Sequence, residues 1–257
     1  MITTFDNKQW TKEDLLPKMY DDTFYYGYLG KNALSSSSIK TLIKSPKTYY
    51  YTTKYGSTGE SPALIAGRIF HTLLLEPEKR DDLTIVDVAT RNTKAFKLAL
   101  SENDPATVYT TKELNTADKL VDQLLRNDEA AYYLNDCLFE QPEAMMIQDL
   151  PFRGKADILR FDSVVDIKTT TDISKFKWSA DKYGYDLQAY LYCKMFNRDK
   201  FTFVVIDKGS CDIGIFECSD EFLERGRLKL QAGIDLYKYF FQTEGVDLDQ
   251  YVTRGTL

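Results

Sequence analysis

Near residue 136 the hydrophobic period of this chain changes. Before that point apolar residues recur at helical spacing. After it come three short runs, EAMMIQDL, PFRGKADILRF and SVVDIKTT, separated by turn residues that include Asp149-Leu150-Pro151 and Asp162-Ser163. Short apolar runs broken by turn residues read as strands, here an antiparallel three-strand meander. Helical spacing returns from about Ser174 to Lys182 and, more strongly, from Tyr185 to Phe196. FTFVVID and CDIGIFEC, joined across Lys208-Gly209-Ser210, then read as a second hairpin, and Asp220 to Phe241 as a long helix. This order confines the chain to an α/β or α+β fold, with a central mixed sheet flanked by helices.

The N-terminal portion supplies the first of those helices. In LSSSSIKTLIKSPKTYYY (Leu34 to Tyr51) a serine run can cap a helix carrying Ile39, Leu42 and Ile43, which Pro46 stops or bends. A second helix begins near Pro62, with Ala63, Ala66, Gly67, Phe70 and Leu74 on one face and Pro77 closing it. Residues 111 to 135 read as one or two more. No repeat or linker divides the 257 residues, so one domain is expected over 1–257: a mainly helical portion, 1–135, and an α/β core, 136–245.

Composition narrows the function classes. Hydrophobic residues make up 43%, enough for a packed core. Four scattered cysteines without a CxxC pair speak for ordinary thiols rather than a zinc or iron–sulfur site. The N-terminus has no apolar run of signal-peptide length, and no stretch approaches the roughly 20 apolar residues that span a bilayer, so a cytoplasmic protein without a membrane span is expected. A net charge of −6 argues mildly against a nucleic-acid partner, but binding depends on local patches, and a cation-holding enzyme needs its own acidic cluster.

The chemistry-bearing residues gather in the meander. Along VVDIKTT side chains alternate, so Asp166 and Lys168 share one face and Val165 and Ile167 the other. Alone, that pattern is a solvated ion pair on a half-buried strand. The preceding strand, however, carries Asp157, with Ala156 and Ile158 expected on its opposite face, and a short turn brings both acids to one side of the hairpin. Two carboxylates held together repel unless a cation lies between them, and oxygen-rich sites suit Mg²⁺ or Mn²⁺. Such an ion activates water and stabilises an in-line displacement at phosphorus, while Lys168 orients the water, helps deprotonate it, or offsets charge on the phosphorane. His71, the one histidine, sits on an apolar helix, where a core role is the commoner one, although a neutral imidazole could complete the site. Glu143 is either a surface residue or a third carboxylate. Gln188 and Tyr192, spaced i, i+4, share a helix face and could bind phosphate oxygens.

In order, GKADIL, VVDIKTT and QAYLY resemble the G-x-x-D, D/E-x-K and Q-x-x-x-Y series of the PD-(D/E)XK nucleases related to RecB. SSSSIKTLIKSPKTYY and GRIFHTLLLEPE further resemble the serine-rich entry and the G-x-x-x-H-x-x-L-L-E-P helix of the exodeoxyribonuclease VIII (RecE) group, so the likeness runs from about Leu34 to Tyr239. The resemblance implies a metal site of His71, Asp157, Asp166 and the Ile167 carbonyl, holding Mg²⁺ with Mn²⁺ able to substitute. It implies Lys168 as the catalytic lysine, Glu143 as an upstream acid, and Gln188 and Tyr192 at the site edge, with Glu76 structural. It also implies degradation of linear duplex DNA from its ends, typically 5′→3′ in recombination, by a phage or mobile-element enzyme in a homo-oligomeric ring beside a single-strand annealing protein. A ring would need Lys40, Lys44, Lys47, Arg68 and Arg153 gathered towards DNA. Two alternatives are a single-strand nuclease of the RecB type, whose four-cysteine cluster pattern is missing here, and a nuclease-like protein that binds without cutting.

Overall fold

The computed structural model describes residues 1–56, 59 and 61–252; the remaining positions of the expected 1–257 domain lie outside the described residues. A five-stranded sheet forms the centre, in the order β1 (Leu138–Ile147), β2 (Leu150–Leu159), β3 (Ser163–Thr170), β4 (Lys200–Asp207) and β5 (Ile213–Glu217). Only the β3–β4 pair is parallel; the other three pairs are antiparallel, as a meander followed by a hairpin requires. The β1–β2 turn is Gln148-Asp149, both residues with positive φ, whereas the expected turn residues Leu150 and Pro151 belong to β2. A two-residue turn with both residues left-handed matches the twist of an antiparallel pair, which is why it is one step earlier than proline alone suggests.

Helices cover both faces. On one side lie α1 (Ser36–Lys44), α2 (Pro46–Tyr55), α6 (Tyr185–Phe196) and α7 (Asp220–Gln242); on the other α3 (Pro62–Leu75) and α4 (Thr111–Leu125), with α5 (Phe176–Lys182) between β3 and α6. Ser35 caps α1 and Ser45 caps α2, with Pro46 at the first turn of α2, so the serine–proline punctuation starts a second helix as it ends the first. Strand β4 shows the two-sided burial directly. Phe201, Phe203 and Val205 pack with α6 and α7, while Val204 and Ile206 pack with α3 and α4. In α3 the expected apolar face is buried only from Ile69 to Leu75; Ala63 is exposed, because the first turn runs past the sheet. The N-terminal portion also contains short strands that helical spacing does not reveal, Ile2–Thr3 with Gln9–Trp10 and Thr84–Val86 with Val108–Thr110.

The β2–β3 pair is laddered only at Ile158↔Val165 and Leu159↔Val164. Beyond those two pairs the strands part. The edge of β2 that opens is taken up by Leu34, whose N–H donates to the Pro151 carbonyl and whose carbonyl accepts from the Arg153 N–H, each at 2.8 Å. A consequence is that alternation does not run through Asp157. Ala156 packs with α6, Ile158 with α3, and the expectation that they share a face is corrected by the parting of the strands.

Helices α6 and α7 meet at Gly226, where an added Cβ would collide with the carbonyl of Asp186. Asp186 is buried and ion-paired with Lys229 at 2.5 Å. On an open helix face Gly→Ala stabilises by up to about 1 kcal/mol. Here Gly226→Ala is expected to destabilise by about 1–3 kcal/mol through overpacking, read as a lower urea midpoint at unchanged slope.

Candidate active site

The functional side chains meet where β2 and β3 separate. In place of a ladder bond, the Asp157 carboxylate accepts a hydrogen bond from the Ile167 N–H at 2.9 Å. The carbonyl of the same residue lies 2.8 Å from Nε2 of His71 on α3. A carbonyl only accepts, so Nε2 donates, and a neutral ring then presents the lone pair of Nδ1 to Asp157 Oδ2, 3.5 Å away. Two electron-rich atoms facing each other are stabilised by a cation or a proton between them.

Asp166 lies on the α6 side of β3, as Val164 does, and is 1% exposed. Its Oδ1 accepts from Gln188 Nε2 at 2.6 Å, and Oδ2 ion-pairs with the ammonium of Lys168. That Oδ2 is buried without a hydrogen bond of good geometry, so it has capacity to spare for a ligand. Burial, then the charge of Asp157, pushes the Asp166 carboxyl up to about 6. At Lys168 burial opposes the ammonium, but Asp166 and Asp157 outweigh it and its pKa is raised. Lys168 also lies 5.2 Å from the ring centroid of Tyr185.

A third carboxylate is present, and it is Glu140. His71, Glu140 and Asp157 are the one set of three such side chains, among the described residues, with ligand atoms within 4.8 Å of each other. Glu140 has φ 48 and lies between the pairs Phe139↔Ile158 and Gln141↔Ala156, opposite Asp157. Burial first, then Asp157, raises its carboxyl to about 8 against the opposing charge of Lys155; Glu76 adds to the rise. Glu143 is not brought to this cluster. It pairs opposite Gly154 and forms an ion pair with Lys12 at 2.8 Å. Counting back from the turn at Gln148-Asp149 places position 140 across from Asp157, so finding Glu140 requires the position of that turn.

Tyr192 packs over Gly154, where an added Cβ would lie 3.1 Å from its ring. Burial, with the charges of Tyr25, Asp157 and Asp166, raises its hydroxyl well above the usual range. The basic residues expected to face DNA are dispersed. Lys47 pairs with Asp249 at 2.5 Å, Arg153 is buried with its guanidinium 4.3 Å from the Tyr25 ring, and Arg68 is engaged beside Tyr109. A separate depression of about 580 Å³ is lined by Lys112, Lys119 and Lys208 and contains none of the clustered acids; chemistry rather than volume locates the site.

With this geometry in view, the family model for a PDDEXK-like domain of unknown function (DUF3799) matches residues 35–246. The chain belongs to that family. The five-stranded mixed sheet with helices on both faces is the corresponding fold. Among solved structures, a candidate exonuclease from Eubacterium rectale aligns at 15% identity and TM-score 0.65, covering 97% of this chain and 96% of that one. A phage-related exonuclease from Haemophilus somnus 129PT aligns at 13% identity and TM-score 0.37 over 82% and 95% of the two chains, an overlap too loose to bear on the fold. No curated protein sequence matches. No described helix is long and apolar enough to cross a membrane.

The folded Glu140 carboxyl keeps its proton up to about 8, whereas an unperturbed one releases it near 4.5. Between those values the folded state binds more protons than the unfolded one, so stability of the cation-free protein falls as pH rises through the window. A divalent cation takes the ionised form. Its affinity should therefore increase from pH 6 to pH 8, the interval spanned by Asp166 and Glu140, with proton release detectable by calorimetry in buffers of different ionisation enthalpy. Affinity independent of pH across that interval would show that neither carboxyl gives up a proton to the cation there.

Proposed function

We propose that this chain is a divalent-cation-dependent deoxyribonuclease that degrades linear duplex DNA from its ends. The observation that carries the reading is the peptide of Ile167, which joins the His71–Glu140–Asp157 cluster to the buried Asp166–Lys168 pair. Membership of the PDDEXK-like family supports it, and so does the likeness to the Eubacterium rectale protein, described as a candidate exonuclease. A 5′→3′ polarity, a role in recombination, a ring of copies and an annealing partner follow from the resemblance to the RecE group and remain part of the proposal.

His71, Glu140, Asp157, Asp166 and the Ile167 carbonyl would hold Mg²⁺, with Mn²⁺ able to substitute. The donor set fits a hard cation: carboxylate oxygens, one imidazole and one carbonyl. When bound, the ion supplies Lewis-acid stabilisation and activation of water. The protein's own part is positional and electrostatic. Gln188 fixes Asp166 in one rotamer by hydrogen bonding to Oδ1. In the cation-free protein the charges of Asp166 and Asp157 favour the Lys168 ammonium over burial, and an ammonium placed there would offset negative charge gathering on the phosphorane.

The test uses end-labelled linear duplex with Mg²⁺, alongside closed circular duplex and single strands. Cleavage restricted to the linear duplex and abolished in Asp166→Ala is expected. Equal cutting of circular DNA overturns the end-dependent part, preference for single strands favours the RecB-type alternative, and absence of cation-dependent cleavage leaves a protein that binds without cutting. Lys168→Ala should lower turnover by about 10²–10³-fold while cation affinity persists; unchanged turnover would refute the role assigned to Lys168.

A further inference from the structure

Lys40, on α1, approaches the same site from the direction opposite to His71. Its stem passes Gly184, where an added Cβ would lie 3.1 Å from Lys40 Cδ. Gly184 is left-handed, with φ 62, and caps the start of α6, so a glycine is favoured there for its backbone as well as for the space it leaves. The Lys40 ammonium lies 5.8 Å from the ring centroid of Tyr185, the ring that Lys168 also faces. Two lysines therefore address one aromatic ring beside Asp166.

Their charges are balanced differently. Lys168 is ion-paired with Asp166. Lys40 is half-buried and, among the described residues, has no carboxylate within ion-pair distance. Burial, then repulsion from Lys168, pushes its ammonium down to about 8, even though Asp166 and Asp186 act in the other direction. A partly desolvated cation without a counter-charge is unfavourable until an anion joins it. The carboxylates nearest to it make their ion pairs with other lysines, Asp166 with Lys168 and Asp186 with Lys229.

We propose that Lys40 is a substrate-contact residue, binding a backbone phosphate of the DNA strand next to the phosphodiester that Lys168 faces. The proposal rests on the nuclease reading and adds a phosphate position to it. A purely structural lysine would hold the α1–α6 contact through its stem and the Tyr185 ring, and would be indifferent to DNA.

The experiment uses the full chain, a blunt 20-base-pair duplex, and Ca²⁺ in place of Mg²⁺ to hold cleavage. Duplex affinity is measured against NaCl concentration for wild type, Lys40→Gln and Lys40→Arg. Loss of one phosphate contact should reduce the slope of log affinity against log salt by about 0.9 in Lys40→Gln, with Lys40→Arg restoring it. In parallel, acetylation of Lys40 in the wild type is followed by mass spectrometry with and without duplex, a measurement that needs no variant to fold. Slower acetylation in the presence of DNA is expected. An unchanged slope or undiminished acetylation in a protein that does bind and cut duplex overturns the assignment of Lys40 alone. A wild type that neither binds duplex nor cuts it overturns the nuclease reading, and this proposal with it.

Discussion

The hydrogen bond from the Ile167 N–H to the Asp157 carboxylate exists because β2 and β3 separate after two paired residues. A longer ladder would have satisfied that N–H with a backbone carbonyl and turned Asp157 into an ordinary cross-strand neighbour. Once the strands part, the peptide still needs partners, since an unpaired buried backbone group is costly. Asp157 meets the N–H and His71 meets the carbonyl. The opening also lets side chains from both faces of the sheet reach one point: His71 from α3, and Gln188, through Asp166, from α6. Leu34 closes the other end of the gap by bonding to the edge of β2, which ties the serine-rich N-terminal segment to the same feature.

Charge balance around that opening is deliberately incomplete in the cation-free protein. Three carboxylates and one imidazole are set against Lys168 and Lys155, whose largely buried side chain pairs with Asp22 at 3.0 Å and reaches Glu140 at 3.9 Å. Burial and mutual repulsion raise Glu140 and Asp166 towards the neutral range. Groups displaced in this way are stabilised by positive charge, which is the electrostatic basis for reading the cluster as a cation site rather than as a stabilising ion-pair network. Lys40 presents the complementary imbalance, a half-buried cation that, among the described residues, has no carboxylate within ion-pair distance.

Much of this was legible from residue order. The alternation of VVDIKTT put Asp166 and Lys168 on one face, and the i, i+4 spacing of Gln188 and Tyr192 put both on one helix face; the structure has Gln188 bonded to Asp166 and Tyr192 over Gly154. Glu140 was not legible in the same way. Its position depends on where the β1–β2 turn falls, and Gln148-Asp149 is a less conspicuous turn than a segment containing proline. A left-handed glutamate within a strand likewise has no signature in composition. Lys40 was recognisable as a basic residue of a capped helix, but not as the residue that shares a ring with Lys168.

By itself, then, the amino-acid order determined the main helices and the strands of the central sheet and that Asp166 and Lys168 lie on a common strand face, because hydrophobic period, caps and side-chain alternation are local properties. The family followed from motifs in a given order, which is also a one-dimensional property. Tertiary structure alone decided where the strands part, which glutamate completes the cluster, and which cations are paired and which are not. Those outcomes depend on register and on the packing of α1, α3 and α6 against the sheet, contacts between residues far apart in the chain whose energies no local pattern encodes.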